Sequence, residues 1–112
     1  MELLTQELKE QLPPLYSQQN EKDPLVICKF FHPLTDMVWY AIEGSPVDAD
    51  GYYDTDKEKV DFLFFGWVHS DFPELGYFSL NEMQEVKVME LGMERDLHFT
   101  PKRLSEVKKE HQ

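Results

Sequence analysis

The sequence predicts a single α+β domain, an antiparallel sheet of four to five short strands with two or three short helices packed on it. Three observations carry that expectation. Residues 25–31 and 37–43 are rich in β-branched and aromatic side chains and are separated by His32-Pro33-Leu34-Thr35-Asp36, a spacing that suits an antiparallel hairpin. Residues 60–69 place Phe62, Phe64, Gly66 and Val68 on one face of an extended chain and Leu63, Phe65, Trp67 and His69 on the other. A strand apolar on both faces belongs inside a sheet, covered by helices, by a long loop or by another subunit. Ser79 followed by Glu82 matches a capping box, which predicts a helix from Leu80 to about Val86.

The remaining elements follow in order. Leu4, Leu8 and Leu12 recur at helical spacing, Thr5 suits an N-cap and Pro13-Pro14 ends the pattern, so residues 5–12 read as a short amphipathic helix. Residues 17–24 are polar and turn-rich. Residues 44–59 read as a long acidic loop, 71–75 as a turn, 76–78 as a short strand and 94–100 as a last strand after a turn at Gly92. Residues 102–112 read as a frayed helical tail. Gly66 marks a bulge or a close backbone approach, and the expected core includes Leu8, Ile27, Trp39, Phe64, Trp67 and Phe78.

Bulk properties exclude several classes. A chain of 112 residues, 13% of them aromatic, has the means to bury a core without disulfides or metals. Cys28 is the only cysteine, so neither an internal disulfide nor a Cys-rich zinc site is available. The opening segment lacks a basic start followed by an apolar run, and no stretch is long enough to span a membrane, which predicts an untargeted cytoplasmic protein. The formal net charge is -11, and it is localised: residues 36–96 carry fifteen acids and four bases, while the flanking segments together balance. Direct binding to nucleic-acid phosphates is disfavoured by that balance, and a basic protein surface is the natural partner.

Several runs carry a family resemblance: Leu3-Leu4-Thr5 with Glu7-Leu8, Leu12-Pro13-Pro14-Leu15-Tyr16-Ser17-Gln18, Lys29-Phe30-Phe31, Trp39-Tyr40, Phe64-Phe65-Gly66, Glu94-Arg95-Asp96 and, most specifically, residues 73–80. In this order they resemble the uncharacterised bacterial family of domains of unknown function numbered 2958. The resemblance covers nearly the whole chain and implies a mobile-element context of plasmids, phages and integrative elements. It implies no catalytic residues.

No cofactor or metal motif is present. His32, His69, His98 and His111 are scattered without metal-ligand spacing, and five glycines form no phosphate loop. The segment from Asp48 to Glu58 crowds carboxylates, but an EF-hand register centred on Gly51 puts Pro46 and Lys57 where carboxylates are required. Cys28, mid-strand, reads as a buried inert thiol. The aromatics lack the interleaved basic residues of a base-stacking platform, since residues 61–82 contain no lysine or arginine.

Two functional classes remain. The first is a non-enzymatic protein-binding module whose Asp48, Asp50, Asp54, Asp56, Glu58 and Asp61 attract a basic partner while Tyr52 and Tyr53 anchor it. Its sharper form is a nucleic-acid mimic that inhibits a DNA-processing or defence factor. The second is a small enzyme or ligand-binding domain with a pocket around His69, Asp71 and Glu74. Repulsion between acidic subunits, with loop residues Val47, Tyr52 and Tyr53 as cover for the second sheet face, points to a monomer.

Overall fold

The computed structural model describes residues 1–112. Thr5 caps the first helix, α1 (Gln6–Gln11), its hydroxyl accepting from the Leu8 N–H at 3.2 Å. The run predicted as one strand over 25–31 breaks at Ile27 into β1 (Leu25–Val26) and β2 (Cys28–Phe31). β3 (Val38–Val47), β4 (Asp61–His69) and β5 (Glu74–Ser79) follow. Then come α2 (Leu80–Glu85), the two-residue strands β6 (Lys87–Val88), β7 (Leu91–Gly92), β8 (Glu94–Arg95) and β9 (Lys102–Arg103), and α3 (Leu104–Glu110).

The main sheet has five antiparallel strands in the order β5-β4-β3-β2-β8. The predicted hairpin is its centre, with Cys28 opposite Ala41 and Phe31 opposite Val38. One face carries Phe30, Trp39, Ala41, Phe62, Phe64 and Phe78, roofed by Leu3, Leu4 and Leu12 around α1 and by Met83 of α2. On the other face Tyr40, Ile42 and Trp67 pack with Val26 and with Leu104 and Val107 of α3. Of the expected core, Ile27, Trp39, Phe64, Trp67 and Phe78 are buried, while Leu8 is half-buried at the margin of α1.

Further expectations need correction, the first being the turn over 71–75, since Glu74 and Leu75 already pair with β4 as the start of β5. Residues 44–47 are not loop. They continue β3, and Pro46 is tolerated there because β2 ends opposite Ala41, so no strand needs its missing N–H. The strand expected over 94–100 is only Glu94–Arg95, since Asp96 turns the chain by accepting the His98 N–H on its carboxylate and the Phe99 N–H on its carbonyl. The tail 102–112 is not frayed. Leu104 and Val107, one helical turn apart, dock α3 on the sheet, and Asp23 receives both the N–H and the hydroxyl of Ser105 at 2.9 and 2.6 Å. At Ser79 only half of the capping box forms: its hydroxyl accepts from the Glu82 N–H at 3.1 Å, and the second N–H of that turn, on Asn81, goes to Asp61 at 3.0 Å.

Gly66 sits at the tightest point of the sheet. A Cβ built there would overlap the Tyr40 carbonyl and touch Ala41 Cα, and opposite it the register slips between Ala41 and Glu43, leaving Ile42 as a bulge. The obstacle is backbone in a central strand, which has little room to move aside. Gly66→Ala is expected to cost about 3 kcal/mol or more and to lower the melting temperature by roughly 10 °C or more, measured by thermal unfolding followed in the far-ultraviolet circular dichroism.

Candidate functional site

A bulge changes which way the following side chains point. Tyr40 faces the α3 side, and strict alternation would return Glu43 to the face occupied by Phe30 and Phe64. The extra residue, Ile42, resets the count, so Ile42 and Glu43 both lie on the α3 side. There the buried Glu43 carboxylate accepts the Tyr16 N–H at 2.9 Å and the Gln18 N–H at 2.7 Å. Ser45 Oγ accepts the Leu15 N–H at 3.0 Å, and the Gly44 N–H donates to the Pro13 carbonyl at 2.9 Å. Residues 13–18 are thereby strapped along β3 where β2 no longer accompanies it.

The strap holds Tyr16 in the left-handed region, φ +71°. A β-carbon-bearing residue enters that region at a cost of about 1–3 kcal/mol, and here the two bonds to Glu43 offset it. In this position Tyr16 lies 5.7 Å from the Tyr53 ring and 6.3 Å from Tyr77, and Tyr77 lies 5.0 Å from Phe65. The Tyr77 phenol is held above its ordinary range, chiefly by desolvation and then by the neighbouring Tyr16. Below these rings is a groove of about 360 Å³ whose walls include Ile42, Glu43, Phe65, Leu75 and Leu104, with Lys22 and Lys108 on the rim. Tyr16, Tyr53, Leu75 and Tyr77 each expose between 41% and 51% of their surface, so the aromatic strip is open to solvent.

The acidic loop approaches this strip through Tyr53, and its carboxylates divide by role. Asp48 is buried and does not belong to a contact surface. Its carboxylate accepts the N–H groups of Asp50 and Tyr52 at 2.9 and 3.0 Å and the Thr55 hydroxyl at 2.6 Å, which holds its pKa below the usual carboxylate range, the Thr55 bond most of all. Gly51, at φ +88°, closes the turn inside this bracket. Asp61 is half-buried and committed to the Phe62 and Asn81 N–H groups, so it too is structural. Asp50 is exposed but paired with Lys57 at 2.9 Å, and Lys59 is turned inward onto the carbonyls of Thr55 and Lys57. Asp54, Asp56 and Glu58 are exposed and make no hydrogen bond or ion pair within the chain. With Tyr52 and Tyr53, they are what the loop presents.

The alternative cluster, His69, Asp71 and Glu74, lies at the turn between β4 and β5, where Val68 pairs with Glu74. Asp71 and Glu74 are exposed, and none of the five principal cavities is lined by His69, Asp71 or Glu74. His69 instead stacks on His111 of the C-terminal segment at 3.9 Å between ring centres, beside Trp67, with its Nδ1 buried and unpartnered. His111 Nε2 meets the Tyr40 hydroxyl at 2.6 Å. Burial, then His69 and Lys29, push the His111 pKa down, and burial with Glu110 and Asp96 pushes Tyr40 up to about 12. Cys28 is also buried, its thiol pushed up to about 12 by desolvation. No three His, Cys, Asp or Glu side chains gather closely enough to hold a metal ion. No helix is long and apolar enough to cross a membrane.

Two contributors escape a reading of the sequence. Tyr16 falls between the predicted first helix and the polar run 17–24, and Glu43 is only the last residue of the strand predicted over 37–43; the Ile42 bulge brings them together. The fold and site together define a small α+β domain with an aromatic strip, strapped from below by a buried glutamate and bordered by an acidic loop. Residues 3–110 match the family described as protein of unknown function (DUF2958), and the chain belongs to that family. No curated protein and no solved structure matches the chain.

Glu43→Ala would leave two part-buried N–H groups without their acceptor and release Tyr16. The expected loss is about 2–4 kcal/mol, read as a lower melting temperature, whereas Asp54→Asn, at an exposed carboxylate without partners, should leave that temperature within about 2 °C. His111 has a depressed pKa, so the fold favours its neutral form; the resulting stability is complete above the unfolded value of about 6.5 and is lost as pH falls below it. The urea midpoint should therefore drop between pH 7 and pH 5, and His111→Gln should flatten that slope.

Proposed function

We propose that this protein is a non-enzymatic binding module for a basic protein surface. The observation that carries this reading is the open strip of Tyr53, Tyr16 and Tyr77, in ring-to-ring contact, lying next to loop carboxylates that have no partner of their own. Tyrosines give large contact area at small entropic cost, and binding energy concentrates at such anchors. Carboxylates at the rim steer an oppositely charged partner and fix its orientation. Asp54, Asp56 and Glu58 attract a lysine- or arginine-rich surface, while Tyr16, Tyr53 and Tyr77 take up its apolar portions. Asp48 and Asp61 hold the loop and the start of α2 in place and act on binding only indirectly.

In the sharper form of this reading, the acidic middle of the chain imitates a nucleic-acid backbone and occupies the DNA-binding face of a processing or defence factor. The excess of fifteen acids over four bases within residues 36–96 supports it. The two forms separate by competition, since only the mimic is displaced from its partner by duplex DNA.

Affinity capture at low and high salt, followed by titration of the captured partner, tests the proposal. The triple variant Asp54→Asn, Asp56→Asn, Glu58→Gln should bind roughly tenfold or more weaker at low salt with an unchanged melting temperature. Tyr53→Ala with Tyr77→Ala should weaken binding at both salt concentrations. Binding that is indifferent to salt and to the carboxylate variant would overturn the reading.

A further inference from the structure

The two edges of the main sheet are finished differently. At one edge β8 is two residues long and the N-terminal residues close over it: the Arg95 N–H donates to Met1 Sδ, and the Arg95 guanidinium donates to the carbonyls of Glu2 and Leu3 at 2.7 and 2.8 Å. At the other edge β5 runs for six residues, pairs only with β4, and no other segment hydrogen-bonds to the outer side of its backbone. A bare row of N–H and C=O groups recruits an extended chain, and edges are ordinarily blunted by lysine, proline, a bulge or extreme shortness. Within β5 there is no lysine, no proline and no slip in the pairing from Leu63 opposite Ser79 to Val68 opposite Glu74.

Side chains beside this edge say what would pair with it. Leu75 and Tyr77 lie on the α3 side of the sheet and are half exposed, so an added strand, about 4.8 Å further out, would set alternate side chains against them. Residues 70–86 carry Asp71, Glu74, Glu82 and Glu85 and no lysine or arginine. Pairing two copies edge to edge would set these carboxylates against their own kind on chains of formal net charge -11. An extended segment with lysine or arginine meets the opposite situation, gaining backbone bonds and charge complementarity together.

We propose that β5 is a docking strand, and that an extended, basic segment of the partner protein adds to it as a sixth strand. This rests on the basic-partner reading and assigns it a binding mode: main-chain pairing supplies the register, and Leu75 and Tyr77 receive the apolar side chains.

The probe is a ten-residue peptide alternating lysine and valine, compared with the same peptide N-methylated on its central amides, which keeps the charge and removes the backbone donors. The full-length protein, labelled for NMR, is titrated with each at low salt. The unmodified peptide should slow hydrogen exchange of the outward amides within 74–78 by roughly tenfold, and the methylated form should bind roughly tenfold or more weaker. Equal binding of both peptides with unchanged exchange at 74–78 would overturn the docking strand while leaving a salt-sensitive basic partner intact. Failure of the unmodified peptide to bind at millimolar concentration also overturns it. Slowing of the same amides on raising the protein concentration alone would show a second copy as the occupant and overturn the assignment to a partner.

Discussion

The contact on which most of this molecule depends is the approach of the β4 backbone at Gly66 to the β3 backbone at Tyr40 and Ala41. No side chain fits between them, and the crowding is relieved by an extra residue in β3. That one-residue insertion exchanges the faces of everything downstream. Without it Glu43 would point into the cluster of Phe30, Phe62 and Phe64, where an unpaired carboxylate costs several kcal/mol. With it, the same carboxylate lies on the other face and gathers two N–H groups of the strap. The strained backbone of Tyr16, its contacts with Tyr53 and Tyr77, and the groove beneath them all descend from this reversal of parity.

The two faces of the sheet are covered unequally, and the inequality is useful. Phe62, Phe64 and Phe78 are sealed under α1, α2 and the N-terminal leucines. On the opposite face α3 seals Tyr40, Ile42 and Trp67, but it lies over the β3 side of the sheet and leaves Phe65, Leu75 and Tyr77 towards the β5 edge partly bare. A globular chain of this size has enough apolar residues for both roofs. That the exposed strip is aromatic, continuous and adjacent to unpaired carboxylates distinguishes it from the isolated apolar residues scattered over any surface.

Local chemistry was legible in the sequence where a single periodicity governed the outcome. The hairpin of β2 and β3, the doubly apolar β4, the Thr5 and Ser79 caps and most of the core could be read from alternation and spacing alone. Gly66 was legible as a special position, though not its effect, because parity after a bulge depends on which of two strands absorbs the extra residue. α3 was under-read because its stability comes from Asp23, some eighty residues earlier, and from a sheet face that local propensity does not register. The acidic loop illustrates the same limit. Asp48 and Asp54 look alike in sequence, yet one bonds to three donors inside the loop and the other meets only solvent, because burial is decided by the path of the chain.

One quiet residue gives this protein a built-in reporter. Cys28, at the start of β2 and buried under the first roof of the sheet, keeps its thiol enclosed and protonated, so a thiol reagent meets no reactive sulfur in the native molecule. Its modification rate therefore records opening of the sheet around β2 and β3 rather than motion of the loop or the strap. A cysteine placed by substitution at an exposed loop position would be the sole fast-reacting sulfur. A fluorophore could be attached there without first removing Cys28, leaving the native thiol free to serve as an internal clock for unfolding in the same sample.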